Sequence, residues 1–316
     1  DDAREYEHLL KDTPCDVDGN PYAKVWGFDR LTISVGSRAC PGHGYPVEYI
    51  HELADYVRSM HLDRKFEITA EFRKGQWPLG LGFQRLGEFL VFLDNEEIGF
   101  ERWHKLTVSL PDLELPYDII SSPKLPLNAF TNLRDLTWRG HRKQLLASWL
   151  PLSPSVLQTL HTLEIQCDIA MKDCCYLLYH GINLQKVTLK IIQKALAHES
   201  IFGFIAPSGH TSRPLEYLCL VSDDDIGPLL RPFDLPFLRH IDFDLGYPTW
   251  STFADLRIWK TLETVHMKGE IAIVDSRWII SQCRPSTKCH FKLYGGTMKS
   301  AASFLHIDFM HPPFRF

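Results

Sequence analysis

Residue types able to do chemistry are plentiful in this chain of 316 residues, but the spacings that chemistry needs are scarce. The run Asp223-Asp224-Asp225 supplies three carboxylates that could hold a divalent cation. Acidic residues are also favoured at the positive end of a helix, and that is the reading expected here. Cys40 with His43, and Cys283 with Cys289 and His290, have the thiol and imidazole content of a zinc site. Neither group has a second ligand pair at the usual spacing, so no metal is expected. Gly80-x-Gly82 lacks the third glycine and the following helix of a phosphate-binding loop, and reads as flexible insertion. Serine, histidine and aspartate are common, yet no G-x-S-x-G nucleophile turn occurs. The residues therefore give no positive sign of an enzyme, and neither a catalytic residue nor a cofactor is expected.

What recurs instead is an apolar pattern, L-x-x-L-x-L. It stands at Leu133, Leu136, Trp138 within N-L-R-D-L-T-W-R-G, then at Leu160, Leu163, Ile165 and at Leu184, Val187, Leu189. It returns at Leu215, Leu218, Leu220, at Leu238, Ile241, Phe243 and at Leu262, Val265, Met267. Successive copies start 23 to 31 residues apart. Alternating apolar residues place side chains on one face of a short strand. Helical spacing follows several copies: Leu145, Leu146, Trp149, Leu150; Met171, Cys174, Cys175, Leu178; Ile226, Leu229, Leu230 behind Ser222 as N-cap; and Phe253, Leu256, Trp259 behind Thr252. One strand–turn–helix unit cannot enclose a core, but stacked units can. The expected fold is α/β, a leucine-rich-repeat solenoid with a curved parallel sheet on the concave side and helices on the convex side. A doubly wound sheet would show the same alternation of elements, but no strand is followed by a glycine fingerprint.

Composition narrows the function classes. The net charge of −5 and pI near 6.3 argue against a general nucleic-acid binder, which would carry a basic face. No apolar run approaches the roughly 20 residues that a membrane-crossing helix needs. The eight cysteines fall largely on apolar faces and read as buried free thiols. No N-x-S/T sequon occurs, in keeping with a cytoplasmic or nuclear location.

Along the chain, residues 1–23 read as a polar N-terminal segment, and residues 24–316 as one repeat domain. Its first strand is placed at Phe28, Leu31, Ile33, followed by a helix on Val47, Ile50, Leu53, Ala54, Val57 and Met60 and a strand at Phe66 and Ile68. Residues 73–101 form an irregular insertion with Trp77, in which Phe89–Leu93 suits either helix or strand. Trp103, Leu106 and Val108 resume the repeat. Ile273, Val274, Trp278 and Ile279 mark a helix, and Cys289, Phe291 and Leu293 a strand. Residues 294–316 form a C-terminal cap with a last strand at Leu305, Ile307 and Phe309, since the end of a solenoid exposes an apolar cross-section.

The segments Y-A-K-V-W-G-F-D-R-L-T-I-S at Tyr22–Ser34 and E-L-A-D-Y-V-R-S-M-H-L-D-R-K-F-E-I-T at Glu52–Thr69 resemble the post-F-box strand and the next helix and strand of basidiomycete-type fungal F-box/leucine-rich-repeat proteins. T-N-L-R-D-L-T-W and P-L-E-Y-L-C-L resemble later repeats of that family, and the likeness spans most of residues 22–293 through loose motifs. It implies a substrate receptor of a ubiquitin ligase, with a Skp-type adaptor as partner if an F-box precedes Asp1. Two features depart from the family. The L-P-x-E opening of an F-box is not in this chain, and the asparagine closing a typical repeat is replaced by His141, Asp168, Ile192, Asp223, Gly246 and Glu270. The second departure predicts irregular turns.

The third, fifth and seventh repeat positions point away from the core onto the open sheet face. Arg139, Glu164, Lys186, Lys190, Tyr217, His240, Asp242 and His266 are the candidate partner-binding residues there. Tyr217 and the two histidines lead, because exposed aromatic groups are common anchors. The expected function is a protein-interaction module. The alternative is a small-molecule receptor or an enzyme on the same scaffold, with the 73–101 insertion folded over one end of the concavity.

Overall fold

A computed structural model describes residues 22–26, 30–35, 66–72, 86–88, 90–91, 94–95, 100–110, 125–140, 152–193, 212–222, 226–246, 253, 258–269, 273–294 and 304–309. The chain is α/β and divides into two compact units, residues 1–160 and 161–316, each built on an open, mainly parallel sheet whose strands follow chain order.

In the first unit, β1 (Tyr22–Trp26) and β2 (Arg30–Val35) pair antiparallel. Then β2, β3 (Phe66–Phe72), β4 (Trp103–Ser109) and β5 (Asp135–Arg139) pair in parallel. The pairing register aligns apolar positions in two rows. Ile68, Leu106 and Leu136 form one and Ala70, Val108 and Trp138 the other, all buried. Single-turn 3-10 helices at Phe100–Arg102 and Leu127–Ala129 bring Phe100 and Phe130 against Trp103, with ring centroids 4.9 to 5.0 Å apart. A short helix, α1 (Pro154–Thr159), buries Val156 and Leu157. Pro154 suits its first turn, where a missing N–H costs nothing, and Thr159 Oγ1 donates to the Leu133 carbonyl at 2.8 Å.

The second unit repeats the same device with longer rows. β6 (Thr162–Ala170), β7 (Lys186–Gln193), β8 (Tyr217–Ser222), β9 (His240–Leu245), β10 (Thr264–Gly269) and β11 (Lys288–Tyr294) are parallel. β12 (Phe304–Phe309) pairs antiparallel with β11. Leu163, Val187, Leu218, Ile241, Val265 and Cys289 share one register row, and Ile165, Leu189, Leu220, Phe243, Met267 and Phe291 the next, all buried. Each such side chain contributes about 1.5–3 kcal/mol on leaving water. α2 (Met171–His180) packs on β6 and β7, α3 (Gly227–Leu230) on α2, and α4 (Ile273–Gln282) on β11.

The backbone makes the units of the second sheet equivalent. The N–H groups of Gln185 and Lys186 donate to the His161 carbonyl, and those of Glu216 and Tyr217 to Gln185. Those of Arg239 and His240 donate to Glu216, those of Glu263 and Thr264 to Arg239, and that of Lys288 to Glu263. β7 to β11 therefore each start from the same point on the preceding strand, so entering backbone donors are satisfied without side-chain help.

Several expectations need correction. The polar N-terminal segment does not end at residue 23 as loop, since Tyr22 already begins β1. The first repeat strand is β2, which carries Leu31 and Ile33, while Phe28 lies outside the described residues; β1 is a further strand ahead of it, paired antiparallel. Ser222 is not a helix N-cap: it is buried at the end of β8, and α3 starts only at Gly227 behind Ile226. Asp168 and Ile192 do not close their repeats, because β6 and β7 run on through them. The register shifts between Ile165 and Asp168, and again between Leu189 and Ile192, where the chain lacks the usual closing asparagine. Residues 86–88 and 90–91 are helical, which answers for part of Phe89–Leu93. The helices proposed at residues 47–60 and 145–150, the cap residue Thr252, and Trp77 lie outside the described residues.

Candidate interaction face

Alternation leaves the third, fifth and seventh positions of each repeat on the face opposite the leucine rows. On the second unit, register turns these positions into continuous rows. The first is Thr162, Lys186, Tyr217, His240, Thr264, Lys288. The second is Glu164, Thr188, Cys219, Asp242, His266, His290. A third begins beyond the register shifts with Val221, Asp244, Lys268 and Lys292. Seven candidate residues thus meet on one face: Glu164, Lys186, Lys190, Tyr217, His240, Asp242 and His266. Arg139 is the exposed last residue of β5 in the first unit, level with Ser109.

Side-chain contacts divide this face into paired and unpaired groups. Lys268 donates to Asp244 in an ion pair, and Gln166 donates to Glu164. His240 Nδ1 lies 2.7 Å from Thr264 Oγ1. The rings of His266 and His290 meet edge to face at 4.8 Å. Lys186 Nζ sits over the Tyr217 ring, 5.3 Å from its centroid. Lys186 and Lys190 are both exposed, and among the described residues no carboxylate lies within ion-pair distance of either. Asp242 is likewise unpaired and stands beside Cys219 and Tyr217.

The centre of the face is closely packed. Thr188 and Cys219 are buried although they point away from the leucine rows. Burial, helped by Asp242, pushes the Cys219 thiol up to about 11. Burial, then Cys219 and Asp242, pushes the Tyr217 phenol up to about 12. Both groups hold their proton more tightly folded than unfolded. Their stabilisation is therefore complete below the ordinary thiol value of 9.0 and is lost as pH rises through about 11 and 12. The urea midpoint is expected to fall steadily from pH 9 to pH 11, and Cys219→Ala is expected to flatten that fall. An identical slope in the variant would remove Cys219 from the explanation.

Lys288, His290 and Lys292 extend the face and were missed in the sequence, although Cys289 and Phe291 match Val265 and Met267 and so mark the next copy. The thiols of Cys283 and Cys289 hydrogen-bond, which raises Cys283 and lowers Cys289; Cys289 points into the core while His290 lies on the open face. Among the described residues no group of three or more His, Cys, Asp or Glu is placed to hold a metal. Cys40, His43, Gly80, Gly82 and Asp223–Asp225 lie outside them. No helix among the described residues is long and apolar enough to cross a membrane. The site thus belongs to an open-faced, solenoid-like parallel sheet. No family model, curated protein or solved structure matches this chain.

Proposed function

We propose that the chain is a degenerate leucine-rich-repeat protein whose open sheet face holds a protein partner. One observation carries this reading: Tyr217 lies on a polar face with Lys186 over its ring, Lys190 near Cys219 and Asp242 on β9, and among the described residues none of these three charges has an ion-pair partner. Two strand spacings separate β7 from β9, roughly 10 Å. A partner that matches this layout presents an acidic group for Lys186 and Lys190 and a basic group for Asp242, spaced to cross the strands. Tyr217 and its lysine neighbour supply the anchor, while the surrounding polar groups set orientation. The resemblance to F-box/leucine-rich-repeat proteins makes substrate reception for a ubiquitin ligase the cellular role, in the cytoplasm or nucleus, with a Skp-type adaptor as second partner.

The test compares the complete gene product with its Tyr217→Ala, Lys190→Glu and Asp242→Lys variants in quantitative affinity capture from the source cells. Truncating an anchor aromatic costs about 2 kcal/mol or more, roughly thirtyfold in affinity. The expected result is a partner set depleted at least tenfold by each variant, with adaptor recovery unchanged because the adaptor binds elsewhere. Identical partners for wild type and all three variants would overturn the face. Failure to recover any Skp-type adaptor would remove the ligase role and leave the face standing.

A further inference from the structure

Where β7 and β8 begin, the second unit has a cleft lined by Leu178, Leu184, Leu215, Leu230, Phe233 and Leu235 around the side chain of Arg213. Arg213 is only 7% exposed. Its Nη2 donates to the Tyr179 carbonyl at 2.7 Å, and its guanidinium lies 6.0 Å from the centre of the Tyr179 ring. Tyr179 belongs to the last turn of α2, where carbonyls lack helical partners, so this bond caps the negative end of the helix. The cap uses one of five guanidinium N–H groups. Nε is buried, and among the described residues it has no hydrogen-bond partner and no carboxylate pairs with this arginine. Burial lowers the pKa of the group, but an arginine keeps its charge. A cation surrounded by leucines without an anion is an arrangement that proteins rarely leave uncompensated.

The segment carrying Arg213 is itself anchored. Ser212 bridges to Asp234, and the Arg213 N–H donates to the Asp234 carbonyl at 3.3 Å. The guanidinium is thus fixed in the cleft by backbone pairing at one end and by the helix terminus at the other. The enclosed space, about 10 Å³, accommodates one water-sized group, and beyond it the cleft opens to solvent. Such a shape takes the head of a ligand and leaves its body at the rim, where Phe233 is half-buried and the leucines show only their edges.

We infer that this cleft binds an aliphatic carboxylate. The carboxylate accepts from the unused N–H groups of Arg213, and a short branched hydrocarbon lies against the leucines and Phe233. The same chemistry is offered by a free carboxylic acid and by the C-terminal carboxylate of a chain ending in an aliphatic residue. This site is separate from the sheet face, and neither reading requires the other.

The test is a titration of the full chain followed by NMR shifts of leucine methyl groups, with isovalerate, neutral isovaleramide and N-acetylleucine as probes. Saturable shifts with isovalerate or N-acetylleucine, at least tenfold weaker with the amide, are expected. The tighter of the two acids distinguishes a free acid from a chain terminus. Arg213→Met is expected to abolish binding, and Arg213→Lys to weaken it severalfold because an ammonium lacks the planar fork. Since Arg213→Met also uncaps α2, Leu235→Phe is the second variant: it narrows the cleft, keeps the bond to Tyr179, and is expected to weaken the acids at least tenfold. Equal binding of acid and amide, no saturable shift with either acid, or unchanged binding in Leu235→Phe would overturn the inference.

Discussion

Gly269→Ala is expected to destabilise the second unit by about 3–5 kcal/mol, a large part of the total stability of an ordinary domain. Gly269 ends β10 with φ at +140°, a conformation that L side chains rarely adopt. It stands level with Leu245 on one neighbouring strand and with Leu293 on the other. A Cβ built on it falls 1.8 Å from the Leu245 carbonyl oxygen and 2.9 Å from the carbonyl carbon. Both obstacles are backbone, so relief requires β9 and β10 to separate at their ends. Gly181→Ala provides the comparison. Its nearest obstacle is Leu184 Cδ1 at 2.2 Å, the end of a side chain that can rotate, although the Leu177 carbonyl oxygen stands at 2.8 Å. Urea unfolding of both variants should place Gly269→Ala well below Gly181→Ala, and a loss under about 1 kcal/mol for Gly269→Ala would mean that position 269 does not require glycine.

Trp103→Ala is expected to cost the first unit about 3–5 kcal/mol, the usual range for emptying a buried aromatic site. Trp103 is fully buried, and Phe100 packs edge to face on it while Phe130 tilts against both. Removing the indole leaves two rings facing a void that the backbone of β4, held by strands on both sides, cannot close. Trp103→Phe should be much milder, about 1–2 kcal/mol, for a specific reason. The indole Nε1 is buried with no hydrogen-bond partner among the described residues, so phenylalanine loses ring volume but also removes an unsatisfied donor. Differential unfolding of the two variants checks this. Equal losses would mean that volume alone decides.

The repeat was legible in sequence because its signal is a repulsion from water written every few residues. Leu163 and Ile165, or Ile241 and Phe243, declare a buried face by alternation, and the alternation survives in every copy of the second unit. Short leucines before each strand mark the entry point, which the backbone bonds from His161 to Glu263 then realise. The candidate face followed from the same alternation, read on its other side. α2 and α4 were legible because their apolar spacing runs for whole turns. Ser222 misled because a capping residue type means nothing until the strand before it ends, and β8 ends one residue later than the repeat pattern implies.

By itself, the sequence determined where most repeat strands begin, their inward and outward faces, and the lack of recognisable catalytic spacings. Each of these depends on neighbours within a few residues, where side-chain type and backbone period act directly. Tertiary structure alone decided which outward residues meet. Parallel pairing in register is what puts Lys186 over Tyr217, sets Asp242 beside Cys219 and joins His266 to His290. It also decided that the strands β1 and β12 pair antiparallel, and that Arg213 reaches Tyr179 over a sequence separation of 34. Those outcomes rest on contacts between segments far apart along the chain, and no local pattern of apolar and polar residues encodes the distance between them.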